Sequence, residues 1–397
     1  MRGETGHWPK RRTRIIDWLV EESVHERFID NLFGTVCRGL RDEGLPLDRA
    51  TLHLRTLHPQ LLGATLRWYP GLRDAEIEFH EKTILREDRH LKSPARLVDD
   101  AAAMVRRRLD RPLPPQEESF AVFRELRAEG FTDYVALPMT FTDGKRHVAT
   151  FATRRGTGFD LEELAEIQEI LPLLAMAIEI RLNRRITRNL LNAYVGPHAG
   201  ERILRGEIDR GSADIVEAAV WLADLRGSTR LATSLPHDEL IALLNDYFDR
   251  FGEALKAEGG EILKFLGDGL LAVFPLNQPG ACGRALTAAR RASDAINAFN
   301  QDRAARGRPW LDFVLALHLG EVAWGNIGTR ERLDFTVIGS AVHIARRLEE
   351  LAKELGERVV ISEAVLQGCP QAKPELKALG RHHLRGLETP IGVFALR

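Results

Sequence analysis

The order of elements from Ile215 onward limits the fold more than any composition does. An apolar strand, Val216 to Ala223, leads into an amphipathic helix through Ile241, Leu244, Phe248, Phe251 and Leu255, which Gly259-Gly260 ends. Two strands, Glu261–Leu266 and Leu270–Phe274, then face each other across Gly267-Asp268-Gly269. An Ala- and Arg-rich helix, a strand Leu311–Leu319 with alternating apolar residues, and a helix from Ala341 to Leu355 follow. The β-α-β-β-α-β order predicts an α+β, ferredoxin-like domain with appended elements. Fold alone does not give function.

The rest of the chain is long enough for at least one more domain, since 397 residues exceed the usual single-domain length. The segment to about Arg154 mixes short helical and strand-like runs. Tyr134–Met139 and His147–Ala152 flank the turn Thr142-Asp-Gly-Lys and predict a hairpin. Asp160, with Glu163 three residues on, predicts the capped start of a long helix. Its stripe runs through Leu164, Ile167, Leu171, Leu174 and Ile178, then on to Leu182, Ile186 and Leu190. Two compatible readings stand: a surface helix closing the first domain's core, and a second half that leaves it to pair with a copy of itself. Arg181, Arg184, Arg185 and Arg188 predict a solvent-exposed second half. Gly206 and Gly211 break the helical pattern. The resulting division is a basic tail over 1–14, a first domain over 15–180, a helical linker over 181–214 and a second domain over 215–397.

Composition excludes several classes. Fifty-six basic against 57 acidic residues leave a net charge of −1, so nothing global points to nucleic acid or a membrane surface. The run Lys10, Arg11, Arg12 and Arg14 reads as a solvated tail. Three scattered cysteines argue against a disulfide framework or a zinc site, and Cys37 reads as a buried apolar thiol rather than a chromophore tether. No apolar run approaches the roughly 18 residues of a bilayer span, and no apolar stretch follows the basic N-terminus. The expectation is a cytoplasmic protein.

Two carboxylates carry the chemistry. Asp224 ends a buried strand in Trp221-Leu-Ala-Asp-Leu-Arg-Gly-Ser-Thr, and Asp268 sits at the tip of a tight hairpin. Adjacent central strands would bring them together, a repulsive arrangement that divalent cations relieve. Magnesium takes one or two carboxylates plus substrate phosphates, so a nucleoside triphosphate is the natural third party. The loop Leu225 to Thr229 offers backbone N–H groups to phosphate. Singly, each has a plain explanation: a helix cap at Asp224 and an ordinary turn at Gly-Asp-Gly.

The balance shifts with Leu319-Gly-Glu-Val-Ala-Trp-Gly-Asn-Ile-Gly and Thr336-Val-Ile-Gly…Val342-His-Ile-Ala-Arg-Arg347. Together with Asp224-Leu-Arg-Gly and Lys264-Phe-Leu-Gly-Asp268, these blocks make the region from about Ile215 to Arg397 resemble the class III nucleotidyl cyclase catalytic domain. The closing Leu384-Arg-Gly-Leu-Glu-Thr-Pro-Ile-Gly-Val-Phe resembles the family's last strands.

That resemblance implies an adenylate cyclase making 3′,5′-cyclic AMP and pyrophosphate from ATP. Asp224 and Asp268, with Leu225, match positions that hold two Mg²⁺ or Mn²⁺ ions; Gly227, Ser228 and Thr229 match the phosphate loop. Ser228 stands where Phe is common. Lys264 and Thr336 match the base-reading pair: a lysine donates to adenine N1, whereas guanine presents an N–H there and calls for a carboxylate. Arg347 matches the arginine that neutralises the α-phosphate. Arg385 is a candidate for the outer phosphates and reads equally as a surface arginine.

His343 departs from the family's ribose-holding Asn, leaving open an active variant, a slowed enzyme, or a protein that binds nucleotide without turnover. Retention of both aspartates, Lys264 and Arg347 favours the active variant, and a guanylate cyclase is the weaker alternative. The family also implies a head-to-tail homodimer with shared sites. The late hairpin and long helix of the first domain resemble the end of an α/β GAF-type sensory domain, whose ligand the sequence does not name.

Overall fold

The computed structural model describes residues 13–56, 61–81, 93–101 and 103–396. The basic residues 10–12 lie outside them. The chain divides into two compact units between Leu190 and Leu191.

In the first unit, helices α1 (Arg14–Glu21) and α2 (Ile29–Asp42) precede strands β1 (Arg49–Arg55), β2 (Leu61–Trp68) and β3 (Glu76–Glu81). Then come α3 (Pro94–Ala101), β4 (Val105–Arg108), α4 (Ala121–Ala128), β5 (Asp133–Thr140), β6 (Arg146–Thr153) and α5 (Leu161–Val195). The six strands form one antiparallel sheet in the order β3-β2-β1-β6-β5-β4. Period-two alternation sorts its faces. Leu52, Leu66, Trp68, Ala149 and Phe151 join α2 and α5 in one core. Tyr134, Ala136, Val148 and Ala152 join α3 and α4 in a smaller one on the opposite face.

The capping box at the start of α5 forms as expected, with Asp160 N–H donating to Glu163 Oε2 at 2.8 Å and Glu163 N–H to Asp160 Oδ1 at 2.9 Å. Leu164, Ile167, Leu171, Leu174, Ile178 and Leu182 are all buried. Arg181 corrects the sequence reading. It is buried rather than solvated, and its guanidinium donates to the carbonyls of Glu26 (2.8 Å), Ala177 (2.6 Å) and Ser23. The arginine's apolar stem packs while its head gives these carbonyls further donors. α5 continues unbroken to Val195 and ends at Gly196, whose φ of 88° precedes Pro197.

The second unit contains α6 (Pro197–Leu204), β7 (Ala213–Arg226), α7 (Ser228–Ser234), α8 (His237–Ala257), β8 (Glu261–Leu266), β9 (Gly269–Pro275) and α9 (Ala281–Ala305). β10 (Asp312–Gly328), β11 (Leu333–Ile338), α10 (Ser340–Leu355), β12 (Val359–Ser362), α11 (Glu363–Gly368), β13 (Leu376–His382) and β14 (Ile391–Leu396) complete it. The sheet order is β13-β14-β12-β10-β7-β9-β8, with β11 paired to β10. Its β10-β7-β9-β8 portion interleaves two halves of a β-α-β-β-α-β unit, the ferredoxin-like arrangement the element order predicts. The fold is mixed α+β. One face packs Trp221, Phe274 and Phe313 against Tyr247 and Phe251 of α8 and the alanines of α9. The other packs Val220, Leu222, Leu271 and Val273 against Val337, Ala341 and Ala345.

β10 runs to Gly328, nine residues beyond the expected end at Leu319. Within it Gly325 serves a close approach: a Cβ there would lie 2.0 Å from the Ser212 carbonyl. Its neighbour Asn326 is buried and donates to the Glu207 carbonyl at 2.9 Å, so the Gly-Asn-Ile-Gly block ties down the start of β7.

Candidate active site

Asp224 lies two residues from the end of β7, where Ala223 pairs with Leu270 of β9. This register sets Asp224 beside the β8–β9 turn that carries Asp268. The approach is close enough to require glycine at 269: a Cβ there would lie 2.7 Å from the Ala223 carbonyl oxygen and 2.9 Å from Asp224 Oδ1. Both carboxylates also bear on one hydroxyl. Tyr247 of α8 is fully buried, its Oη has no hydrogen-bond partner, and its ionisation is opposed by desolvation first, then by the charges of Asp224 and Asp268. The two aspartates therefore share one corner of the domain, with an orphaned phenol behind them.

Lys353 of α10 also enters this corner. Its Nζ stands 2.5 Å from Asp224 Oδ2 and 2.5 Å from Oε1 of Glu349, whose side chain has no solvent exposure. Burial raises the Glu349 pKa, against the pull of Lys353. Sequence reasoning missed Lys353 and Tyr247. The i, i+4 spacing of Glu349 and Lys353 is a signal for the first; the phenol gives none, because a Tyr in an apolar stripe reads as core.

Beyond Asp224 the chain turns into α7. Leu225 is buried and pairs with Phe313, and Gly227 adopts φ 71° at the helix start, followed by half-buried Ser228 and exposed Thr229. Among the described residues no cluster of three or more His, Cys, Asp or Glu encloses a metal position. Two carboxylates in a corner kept clear by Gly269 suit a hard cation that takes its remaining oxygens from phosphate.

The other predicted residues form a second group. Lys264 of β8 bridges Asp334 of β11 at 2.5 Å. Thr336, two residues on, leaves β11 from the same face as Asp334. It is buried, and its hydroxyl has no partner. His343 is exposed on α10, and Arg347, one turn later, pairs with Glu350 at 2.6 Å. Arg385 is exposed in the turn between β13 and β14.

Among the described residues no hydrogen bond or ion pair joins this group to Asp224 or Asp268. Thr336 pairs with Gly325 and Asp224 with Val314, positions separated along β10 by a strand path of about 37 Å. On α10, six residues from Arg347 to Lys353 turn the helix face by about 240°, so Lys353 meets Asp224 while Arg347 and His343 project elsewhere.

A corner of two aspartates beside a glycine-opened hairpin, on a ferredoxin-like sheet, suits the binding of a divalent cation together with phosphate oxygens. Residues 212–397 match the family described as the adenylate and guanylate cyclase catalytic domain, and that part of the chain belongs to it. The chain is 29% identical over 226 residues to an adenylate cyclase of Anabaena cylindrica, covering 53% of this chain and 43% of that protein. It is also 29% identical over 180 residues to adenylate cyclase 1 of Rhizobium meliloti, covering 45% and 27%. The crystal structure of the adenylyl cyclase CyaB from P. aeruginosa is 25% identical, with a TM-score of 0.41 over 47% of this chain and 96% of that one. The chain thus spans less than half the length of these two curated relatives. Among the described residues no helix is long and apolar enough to cross a membrane.

Proposed function

We propose that the chain is an adenylate cyclase that converts ATP to 3′,5′-cyclic AMP and pyrophosphate at sites shared by two copies. The observation that carries the reading is the convergence of Asp224 and Asp268 on one corner while Lys264, Thr336, His343 and Arg347 lie apart from it. A head-to-tail pair would set the acidic corner of one copy against the second group of the other.

In that shared site Lys264, released from Asp334, donates to adenine N1, and the unpartnered Thr336 hydroxyl accepts from the adenine amino group. Asp224 and Asp268, with Leu225, would hold two Mg²⁺ or Mn²⁺ ions, which supply activation of the ribose 3′-hydroxyl and neutralisation of the triphosphate. Gly227, Ser228 and Thr229 cover the phosphates, and Arg385 is placed in a turn where it can reach them. His343 donates to the ribose in place of an amide. The 3′-oxygen gives up its proton and bonds to the α-phosphorus, the bond to the β-phosphate oxygen breaks, and pyrophosphate departs. Arg347 stabilises the charge that grows on the α-phosphate oxygens, exchanging its Glu350 partner for them.

The N-terminal unit is read as a GAF-like sensor whose closing helix, Leu161–Val195, continues into the catalytic half. Incubating the full chain with ATP and Mn²⁺ tests the reading. Cyclic AMP should form, GTP should be the poorer substrate, and Asp224→Ala should lower turnover by at least about 10³-fold. No product from the parent chain would overturn the function; product from Asp224→Ala at the parent rate would overturn the metal assignment.

A further inference from the structure

The first unit's sheet carries a row of polar side chains where a core would be expected. Tyr134 on β5 hydrogen-bonds Thr150 on β6. Thr150 Oγ1 meets Thr51 Oγ1 on β1 at 2.6 Å, and Thr51 meets His53 Nε2 at 3.1 Å. The other nitrogen of His53 meets Thr65 of β2 at 3.1 Å, and Thr65 meets His80 of β3 at 2.8 Å. Five strands are crossed, and Thr51, Thr65, Thr150 and Tyr134 are all buried. Apolar residues would serve the fold at less desolvation cost. A continuous, satisfied polar floor instead fixes a surface for something polar.

That floor lies under a cavity of about 520 Å³, within the roughly 300–1,000 Å³ of small-molecule sites. Arg49 lines it with a buried Nε that has no partner, and its guanidinium lies 5.7 Å from the Tyr69 ring centre. Among the described residues Arg49 has no carboxylate partner, whereas Arg67 across the cavity is neutralised by Glu78. Around the cavity Arg49, Arg55, Arg67 and Arg146 outnumber Glu78, Glu125 and Glu129, and a cation without a carboxylate partner over a floor of hydroxyls and imidazoles selects an anion with a polar body.

We propose that the N-terminal unit binds a small organic anion, a carboxylate or phosphate ester, whose charge is held by Arg49 and whose hydroxyl or amide groups lie on the Thr51–Thr150–His53 row. The proposal concerns a binding event and stands independently of nucleotide turnover.

Isothermal titration of the full chain in metal-free buffer with citrate, glucose 6-phosphate and inorganic phosphate tests it. At least one of the two organic anions should bind saturably and more tightly than inorganic phosphate. Preference for citrate identifies a carboxylate site, and preference for glucose 6-phosphate a phosphate-ester site. Arg49→Gln should weaken that binding at least tenfold, and Arg49→Lys by much less, a contrast that separates charge from folding. Thr51→Val should weaken the organic anion while leaving inorganic phosphate unchanged, and Asp224→Ala should bind like the parent. Saturable binding of none of the three probes, or parent affinity in Arg49→Gln, overturns the proposal.

Discussion

Replacing Lys353 with Met removes the one cation that stands between Asp224 and Glu349. Both of its contacts are 2.5 Å, and the Glu349 side chain has no solvent exposure while that of Lys353 is 39% exposed. Breaking a fully buried pair costs about 3–5 kcal/mol, and here Glu349 keeps a weaker partner in Arg346, whose Nε lies 3.6 Å from its Oε2. Screening at the exposed end of the lysine reduces the expected cost to about 2 kcal/mol. Hydrogen exchange at pH 7 reads this locally: amides of α10 and the end of β7 should exchange about 30-fold faster than in the parent. The double change Glu349→Gln with Lys353→Met removes the buried charge and should recover most of the protection. Exchange at the parent rate in the single variant, or a double variant no slower than the single one, would refute the electrostatic account of this corner.

Two further outcomes follow from the same domain. Burial lifts the Glu261 carboxyl to about 7, so the folded chain holds a proton that the unfolded chain releases above its ordinary pKa of 4.5. Stability from this residue is full below pH 4.5 and is lost as the pH climbs through 7. Glu261→Gln should therefore match the parent in urea at pH 4.5 and gain about 1–2 kcal/mol at pH 8, the partial exposure of the site being discounted. Gly269→Ala forces a methyl onto the Ala223 carbonyl and Asp224 Oδ1; a loss of about 1–3 kcal/mol in urea unfolding, with cyclic AMP formation abolished, is expected.

Much of the fold was legible because its signals are local. The hairpin at Gly267–Gly269, the capping box at Asp160 and Glu163, and the stripe through Leu182 each depend on spacings within one element. The acidic corner was legible because its two aspartates end adjacent strands. What escaped depends on distant partners. Arg181 reads as solvated until the carbonyls of Ser23 and Glu26, more than 150 positions earlier, are found to accept from it. The need for glycine at 325 shows only when Ser212 is found against it. The Thr and His residues of β1 and β2 lie on separate strands, and only the assembled sheet joins them into a row. The ion pair of Lys353 with Asp224 spans 129 positions and has no local trace.

The most direct measurement is complementation between two crippled chains. Asp268→Ala damages the acidic corner and Arg347→Ala the second group, so each alone should make no cyclic AMP. Co-expressed, half the pairs are mixed and each mixed pair keeps one intact site, which predicts about a quarter of the parent activity. Mixtures as inactive as the separate variants would contradict a site built from two copies.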